Sequence, residues 1–150
     1  MNEDRLERRL TAIMAADVVG YSRLMEANEE RTLNALRQHR REFFEPNVAQ
    51  HRGRIFKVMG DGFLIEFVNV IDAARCAVET QRGMLERNAG VPDDRQIKFR
   101  IGIHMDNIIV DGEDFYGGRV NLAARIESLA QPGGIACSAV VRNQLGDQLD

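Results

Sequence analysis

The sequence predicts an α+β domain, and three observations carry that prediction. Apolar residues alternate with polar ones at 97–104, recur at helical spacing at 70–85, and the two patterns take turns along the chain. In "FKVMGDGFLIEF" a lone acid between two glycines joins two apolar strand-like runs, as a hairpin would. At 150 residues the chain is most simply one domain, long enough to bury a hydrophobic core.

The elements follow in order. Leu10 to Ala16 is an apolar run ending in Asp17, which reads as a buried strand. "VVGYSRLM" comes next. Asn28 then caps a long helix that carries Glu29 and Glu30 in its first turn. Leu33, Leu36, Phe43, Phe44 and Val48 give this helix an apolar side, and "HRGR" is expected to end it through Gly53. In the hairpin, a two-residue tip at Gly60-Asp61 suits a type II′ turn. Strict alternation puts Phe56, Val58, Phe63, Ile65 and Phe67 on a core face, and Ile55, Lys57, Met59, Leu64 and Glu66 on a mixed one.

Asn69 caps a second helix, with Val70, Ile71, Ala74, Ala77, Val78, Met84 and Leu85 at helical spacing. Ile97, Phe99, Ile101 and Ile103 alternate with Lys98, Arg100, Gly102 and His104, the clearest strand signal in the chain. A further strand is expected near Ile108 to Val110, a loop at "DGEDFYGG", and a third helix from about Arg119 to Ala130 ended by "QPGG". A short strand, Ile135 to Ser138, and a last helix close the chain. This order is an elaborated β-α-β-β-α-β plan. It implies a ferredoxin-like core, with an antiparallel-rich sheet and helices packed on one face.

Charge excludes some partners. With 20 basic and 23 acidic residues the net charge is −3, and the arginines are scattered, so there is no footprint for nucleic acid or an anionic membrane. No apolar run reaches membrane-spanning length, and "MNEDRLERRL" lacks the apolar core of a signal peptide. Cys76 and Cys137 lie far apart among apolar residues and are expected to be reduced core thiols of a cytoplasmic protein.

Several polar residues are candidates for chemistry. Asp17 ends a buried strand before a glycine-containing turn, and Asp61 sits at the hairpin tip. Each alone reads as a cap or turn residue; converging, they would form an oxygen-rich site for hard divalent ions beside a nucleotide. "VVGYS" would then turn backbone N–H groups at a helix start toward phosphates. Asn121 and Arg125 stand four apart on one side of the third helix, as a solvated stripe or as binders of a ribose and a polyphosphate. Lys57 and Asp114 are a surface lysine and a loop acid, or, if they meet, a donor and acceptor able to read a purine edge. His104 has no metal-like spacing and is expected to be structural.

The segments "MAADVVGYSRLM", "GRIFKVMGDGFLIEF" and "FRIGIHMDNIIVDGEDFYGGRVNLAARIESLAQPGGI", in that order, resemble the catalytic domain of class III nucleotidyl cyclases, the adenylyl and guanylyl cyclases. The resemblance runs from about Thr11 to Ser138, and its combination of Asp-x-x-Gly, Lys-x-x-Gly-Asp and Val-Asn-x-Ala-x-Arg is highly specific. It is closest to the bacterial adenylyl type, a subgroup often carried beside other regulatory modules.

What the resemblance implies can be placed by residue. Asp17 and Asp61 match the two metal-binding aspartates, with the Val18 carbonyl as a further ligand of two Mg²⁺ or Mn²⁺ ions. Gly20, Tyr21 and Ser22 fall where the substrate phosphates are met, Lys57 where the base is recognised, and Asp114 where adenylyl cyclases accept from the adenine amino group. That pair favours ATP over GTP. Asn121 matches the residue that orients the ribose and Arg125 the one that stabilises the transition state.

The family's sites lie between two subunits, so a homodimer with two interfacial sites is implied, and the face holding Lys57, Met59 and Leu64 is expected to suit that interface. The expected product is 3′,5′-cyclic AMP, with pyrophosphate released. Two departures stand out. Asp106 and Asn107 replace the small and basic pair that many members carry after the "GIH" strand. The family's domain also continues into further strands, with a phosphate-contacting lysine, beyond the residue numbered Asp150 here. These departures leave a second expectation beside the first: a catalytically impaired cyclase-homology module that binds nucleotide or dimerises to regulate an attached domain.

Overall fold

A computed structural model of the chain describes residues 7–59, 62–111, 114–116 and 122–146. Strand β1 (Glu7–Val18) leads into α1 (Tyr21–Ala27) and α2 (Glu29–His39). A π turn (Arg40–Phe44) and α3 (Glu45–Gln50) follow, then β2 (Arg54–Met59) and β3 (Gly62–Phe67). After α4 (Val70–Arg87) come a 3₁₀ turn (Asp93–Arg95), β4 (Phe99–Asp111) and β5 (Asp114–Tyr116). The last elements are α5 (Leu122–Glu127), β6 (Ile135–Cys137) and α6 (Ala139–Leu145).

The sheet runs β2-β3-β1-β4-β5, antiparallel throughout, and β6 joins β4 in parallel. The expected α+β class and antiparallel-rich core are what the chain adopts. One face of the sheet carries the main core. Met14 and Ala16 of β1, Ile65 and Phe67 of β3, and Ile101 and Ile103 of β4 pack there against Phe44, Val48, Ala77 and Val141 of the covering helices. The Phe44 ring sits 4.8 Å from Phe63 and 5.7 Å from Phe99, centroid to centroid. Helix α5 lies apart from the other helices, on the opposite face, where Ala123 closes over Ile13, Ala15 and Leu64. That separation matters for the site.

Several local expectations change. The long helix is broken at Arg40–Phe44 because Pro46 has no N–H to bond back, and the ladder widens just before it. Its end does not use Gly53 as the left-handed residue; Arg52 takes that role, with φ 62°. Gly53 is required for space, since a Cβ there would come within 2.6 Å of the Phe67 ring. The caps at Asn28 and Asn69 are in place, accepting from Arg31 N and Asp72 N at 2.9 Å each. Leu85 is exposed, although it continues the apolar spacing of α4.

In the hairpin, a bulge between Ile55 and Lys57 lets Phe56 fall out of alternation. Ile55 therefore joins the main core and Phe56 packs on the α5 face, the reverse of the strict period-two reading. Lys57, opposite Leu64, stays on the face expected for it, and Val58 stays opposite Phe63. Met59 pairs with Gly62, which leaves two residues between the strands; Gly60 and Asp61, with their expected turn type, lie outside the described residues.

The two strands expected around 97–104 and 108–110 are one continuous strand, β4, paired with β1 from Val18–Phe99 to Glu7–Val110. Part of the expected "DGEDFYGG" loop is β5, whose Asp114 pairs with Asp111. Cys76 is buried, and its burial pushes the thiol up to about 12. Cys137 is exposed on the short strand β6 rather than in the core.

Candidate active site

Asp17 is the penultimate residue of β1, so the alternation of the strand decides where it points. Odd-numbered residues of β1 face α5, with Ile13 and Ala15 buried there, and Asp17 shares that side. Its carboxylate is partly buried, with Oδ1 closed off from solvent. Across the ladder it lies opposite Gly62 on one side and Arg100 on the other. The register thus sets Asp17 beside the chain neighbour of Asp61.

The turn after Asp17 is built from the backbone. Val19 N donates to Lys98 O at 2.8 Å, tying the chain to the residue before β4 as it leaves the sheet. Gly20 takes φ 64°, a left-handed conformation that costs glycine nothing, and directs the chain into α1. No side chain caps α1, so no cap side chain occupies the amide groups of its first turn, at Tyr21 and Ser22.

Helix α5 is seated by Gly102. A Cβ at that position would come within 2.6 Å of Ala123 O and of Glu127 Cα, so the helix backbone rests directly on β4. By alternation alone, Gly102 is only the polar-side member of a regular strand. A glycine inside so regular a strand is itself the available signal, because it marks a close approach. Ala123 is fully buried against the sheet, whereas Arg125, two positions on, is exposed. Helical geometry therefore sends the Arg125 guanidinium away from its own sheet, not toward Asp17.

The other candidates are dispersed. Lys57 is exposed on β2 at one edge of the sheet, and Asp114 opens β5 at the other, with β3, β1 and β4 between them. Asp61 and Asn121 lie outside the described residues. Leu64, expected at a subunit interface, is instead sealed beneath Phe56 and α5 within the chain. His104 has local partners, Ser138 Oγ at 3.0 Å and Asp106 Oδ2 at 3.3 Å. Asn107 is exposed, and its backbone N–H donates to Asp106 Oδ1 at 2.7 Å.

The donors near Asp17 are oxygens: one partly buried carboxylate and the Val18 carbonyl at the strand end, with the second carboxylate of the pattern one residue from Gly62. Such a set suits a hard ion such as Mg²⁺ or Mn²⁺ rather than a thiolate- or imidazole-seeking metal. Among the described residues there is no group of three or more His, Cys, Asp or Glu that could hold a metal ion.

Comparison with known proteins identifies the family of the chain. The family model for the adenylate and guanylate cyclase catalytic domain matches residues 7–149. "Putative adenylate cyclase 3" of Rhizobium meliloti (strain 1021) is 44% identical over 150 residues, all of this chain and 26% of that protein. An adenylate cyclase of Streptomyces coelicolor (strain ATCC BAA-471 / A3(2) / M145) is 30% identical over 144 residues, 96% of this chain and 36% of its own length. The chain thus spans about a quarter to a third of these relatives. Among solved structures, an adenylate/guanylate cyclase/hydrolase from Silicibacter pomeroyi superposes with a TM-score of 0.91 at 43% identity, covering 97% of this chain and 85% of that one.

Proposed function

The chain belongs to the family of adenylate and guanylate cyclase catalytic domains, and from that premise we propose that it converts ATP to 3′,5′-cyclic AMP and pyrophosphate. The observation that carries the reading is the register of Asp17 with Gly62, which sets the strand-end carboxylate beside the chain neighbour of Asp61, next to an uncapped helix start. Mg²⁺ or Mn²⁺ ions held there would lower the cost of charge on the ribose 3′-oxygen and on the departing phosphates.

In this proposal the chain's own groups do the positioning. Asp17, Asp61 and the Val18 carbonyl hold the ion-binding end of the site, and the amide groups at Gly20, Tyr21 and Ser22 receive phosphate oxygens. Asn121 orients the ribose so that its 3′-oxygen attacks the α-phosphorus in line with the leaving pyrophosphate. Arg125 meets the charge that grows on the phosphoryl oxygens. Lys57 donates to the adenine ring and Asp114 accepts from its amino group, and this pair selects ATP over GTP.

Arg125 is turned away from the sheet that carries Asp17, and Lys57 stands at a sheet edge. Both facts support a site completed by a second copy of the chain: a homodimer with two equivalent sites.

The test is incubation with ATP or GTP and Mn²⁺, followed by detection of the cyclic product. Cyclic AMP from ATP is expected, in excess of cyclic GMP from GTP. Asp17→Ala should remove turnover by at least about a hundredfold, with an unchanged circular-dichroism spectrum. Full activity in that variant would take Asp17 out of the metal role. Nucleotide binding without turnover in the unsubstituted protein would favour a regulatory cyclase-homology module instead.

A further inference from the structure

On the main-core side of the sheet, away from Asp17, a cavity of about 440 Å³ opens between α2, the C-terminal end of α4 and the 3₁₀ turn. That volume falls in the range of small-molecule sites, roughly 300–1,000 Å³. Its apolar wall is Leu24, Ala35, Val91 and Ile97. Its polar wall is Arg31, Arg87, Arg95 and His39, together with Thr32, Gln38 and Asn88. No carboxylate lines it, in a chain whose net charge is −3.

Most of the neutral polar groups are already committed. The Asn88 amide donates to Ile97 O at 2.9 Å and accepts from Ile97 N at 3.2 Å. The Thr32 hydroxyl donates to Leu24 O at 2.9 Å, and the Gln38 amide to Glu42 at 3.3 Å. Arg87 is fixed in advance: its Nε donates to His39 Nδ1 at 2.8 Å and its Nη2 to Glu42 Oε1 at 2.8 Å. With Nδ1 accepting, the proton of neutral His39 sits on Nε2, which adds another donor. Arg31 and Arg95 form no ion pair among the described residues, and the exposed Asp93 and Asp94 beside Arg95 do not line the cavity. The cavity therefore offers guanidinium donors over an apolar wall, with one arginine preset and two uncommitted.

We propose that this cavity binds an organic anion, a phosphate or carboxylate head on a small apolar body, as a site separate from the one proposed for nucleotide turnover. Guanidinium groups match the planar, multi-acceptor geometry of both heads, and the apolar wall receives the body.

The experiment titrates the isotopically labelled protein with phenyl phosphate at constant ionic strength and follows backbone amide signals. Benzoate, inorganic phosphate and phenol serve as the comparison ligands. Saturable shifts confined to residues 31–39 and 87–97 are expected with phenyl phosphate or benzoate, and the stronger of the two identifies the head group. Inorganic phosphate or phenol alone should bind at least about tenfold more weakly, because each satisfies only one wall. The double substitution Arg31→Ala with Arg95→Ala should weaken binding by about tenfold or more, and Arg95→Gln alone serves if the double variant loses its fold. Shifts that do not saturate, that map elsewhere, or that survive the arginine substitutions unchanged would overturn the proposal.

Discussion

Gly102 has no side chain and yet sets the position of a whole helix. Because α5 rests on its Cα, Gly102→Ala must push the helix outward or shift β4, and either movement carries Arg125 with it. The expected outcome is a folded protein with turnover lowered at least about tenfold, since small misplacement of positioning groups is costly in rate. Unchanged turnover would show that the helix position is not critical.

His39 offers a second prediction at the same scale. Burial and the neighbouring Arg87 guanidinium hold its pKa below 6.5, against a smaller upward pull from Glu42. The folded state thus resists protonation. Stability is full above the ordinary value of 6.5 and falls as pH drops toward the folded pKa, because the unfolded chain takes up the proton first. Proton NMR should find His39 titrating below 6.5 with unfolding temperature declining over the same window; a value at or above 6.5 contradicts this account.

At the scale of elements, two irregularities do the work that regular patterns could not. The π turn before Pro46 lets the α2–α3 rod continue while bringing Phe44 between Phe63 and Phe99. Phe44→Ala should cost about 3–5 kcal/mol, read from denaturant unfolding, because the surrounding rings cannot collapse fully into the space. A loss below about 1 kcal/mol would mean that the helix shifts freely. The bulge at Phe56 lets one hairpin place Ile55 in the main core, Phe56 against the cluster that holds Leu64, and Lys57 in solvent. Without it, the strand would satisfy one side only.

Across the whole molecule, the sheet separates two working surfaces. The main-core side carries the arginine-lined cavity, and the α5 side carries Asp17, while Arg125 faces outward from α5. The proposed homodimer would draw Asp17 and Arg125 of one site from different copies. Mixing the inactive Asp17→Ala and Arg125→Ala proteins should restore turnover, since a mixed dimer keeps one site with both residues intact. Failure to restore it, with exchange of subunits verified, would place both residues of a site in one chain.

What the sequence by itself determined is what depends on neighbours along the chain. Asn28 and Asn69 cap helices because their side chains reach amide groups three residues on, and the alternation at 99–103 puts Phe99, Ile101 and Ile103 on one face. The motif order was enough to indicate the family, because its residues lie at fixed spacings. Only the tertiary structure decided the rest. Whether Phe56 breaks period two depends on how β2 is registered against β3, and whether position 53 can carry a side chain depends on the room Phe67 leaves. That β4 runs on to Asp111 depends on β1 lying alongside it. Alternation shows which residues share a face of β1, but not which helix covers it. Ala123 over Ile13 and Ala15 is a contact between residues more than a hundred positions apart, and no local pattern encodes it.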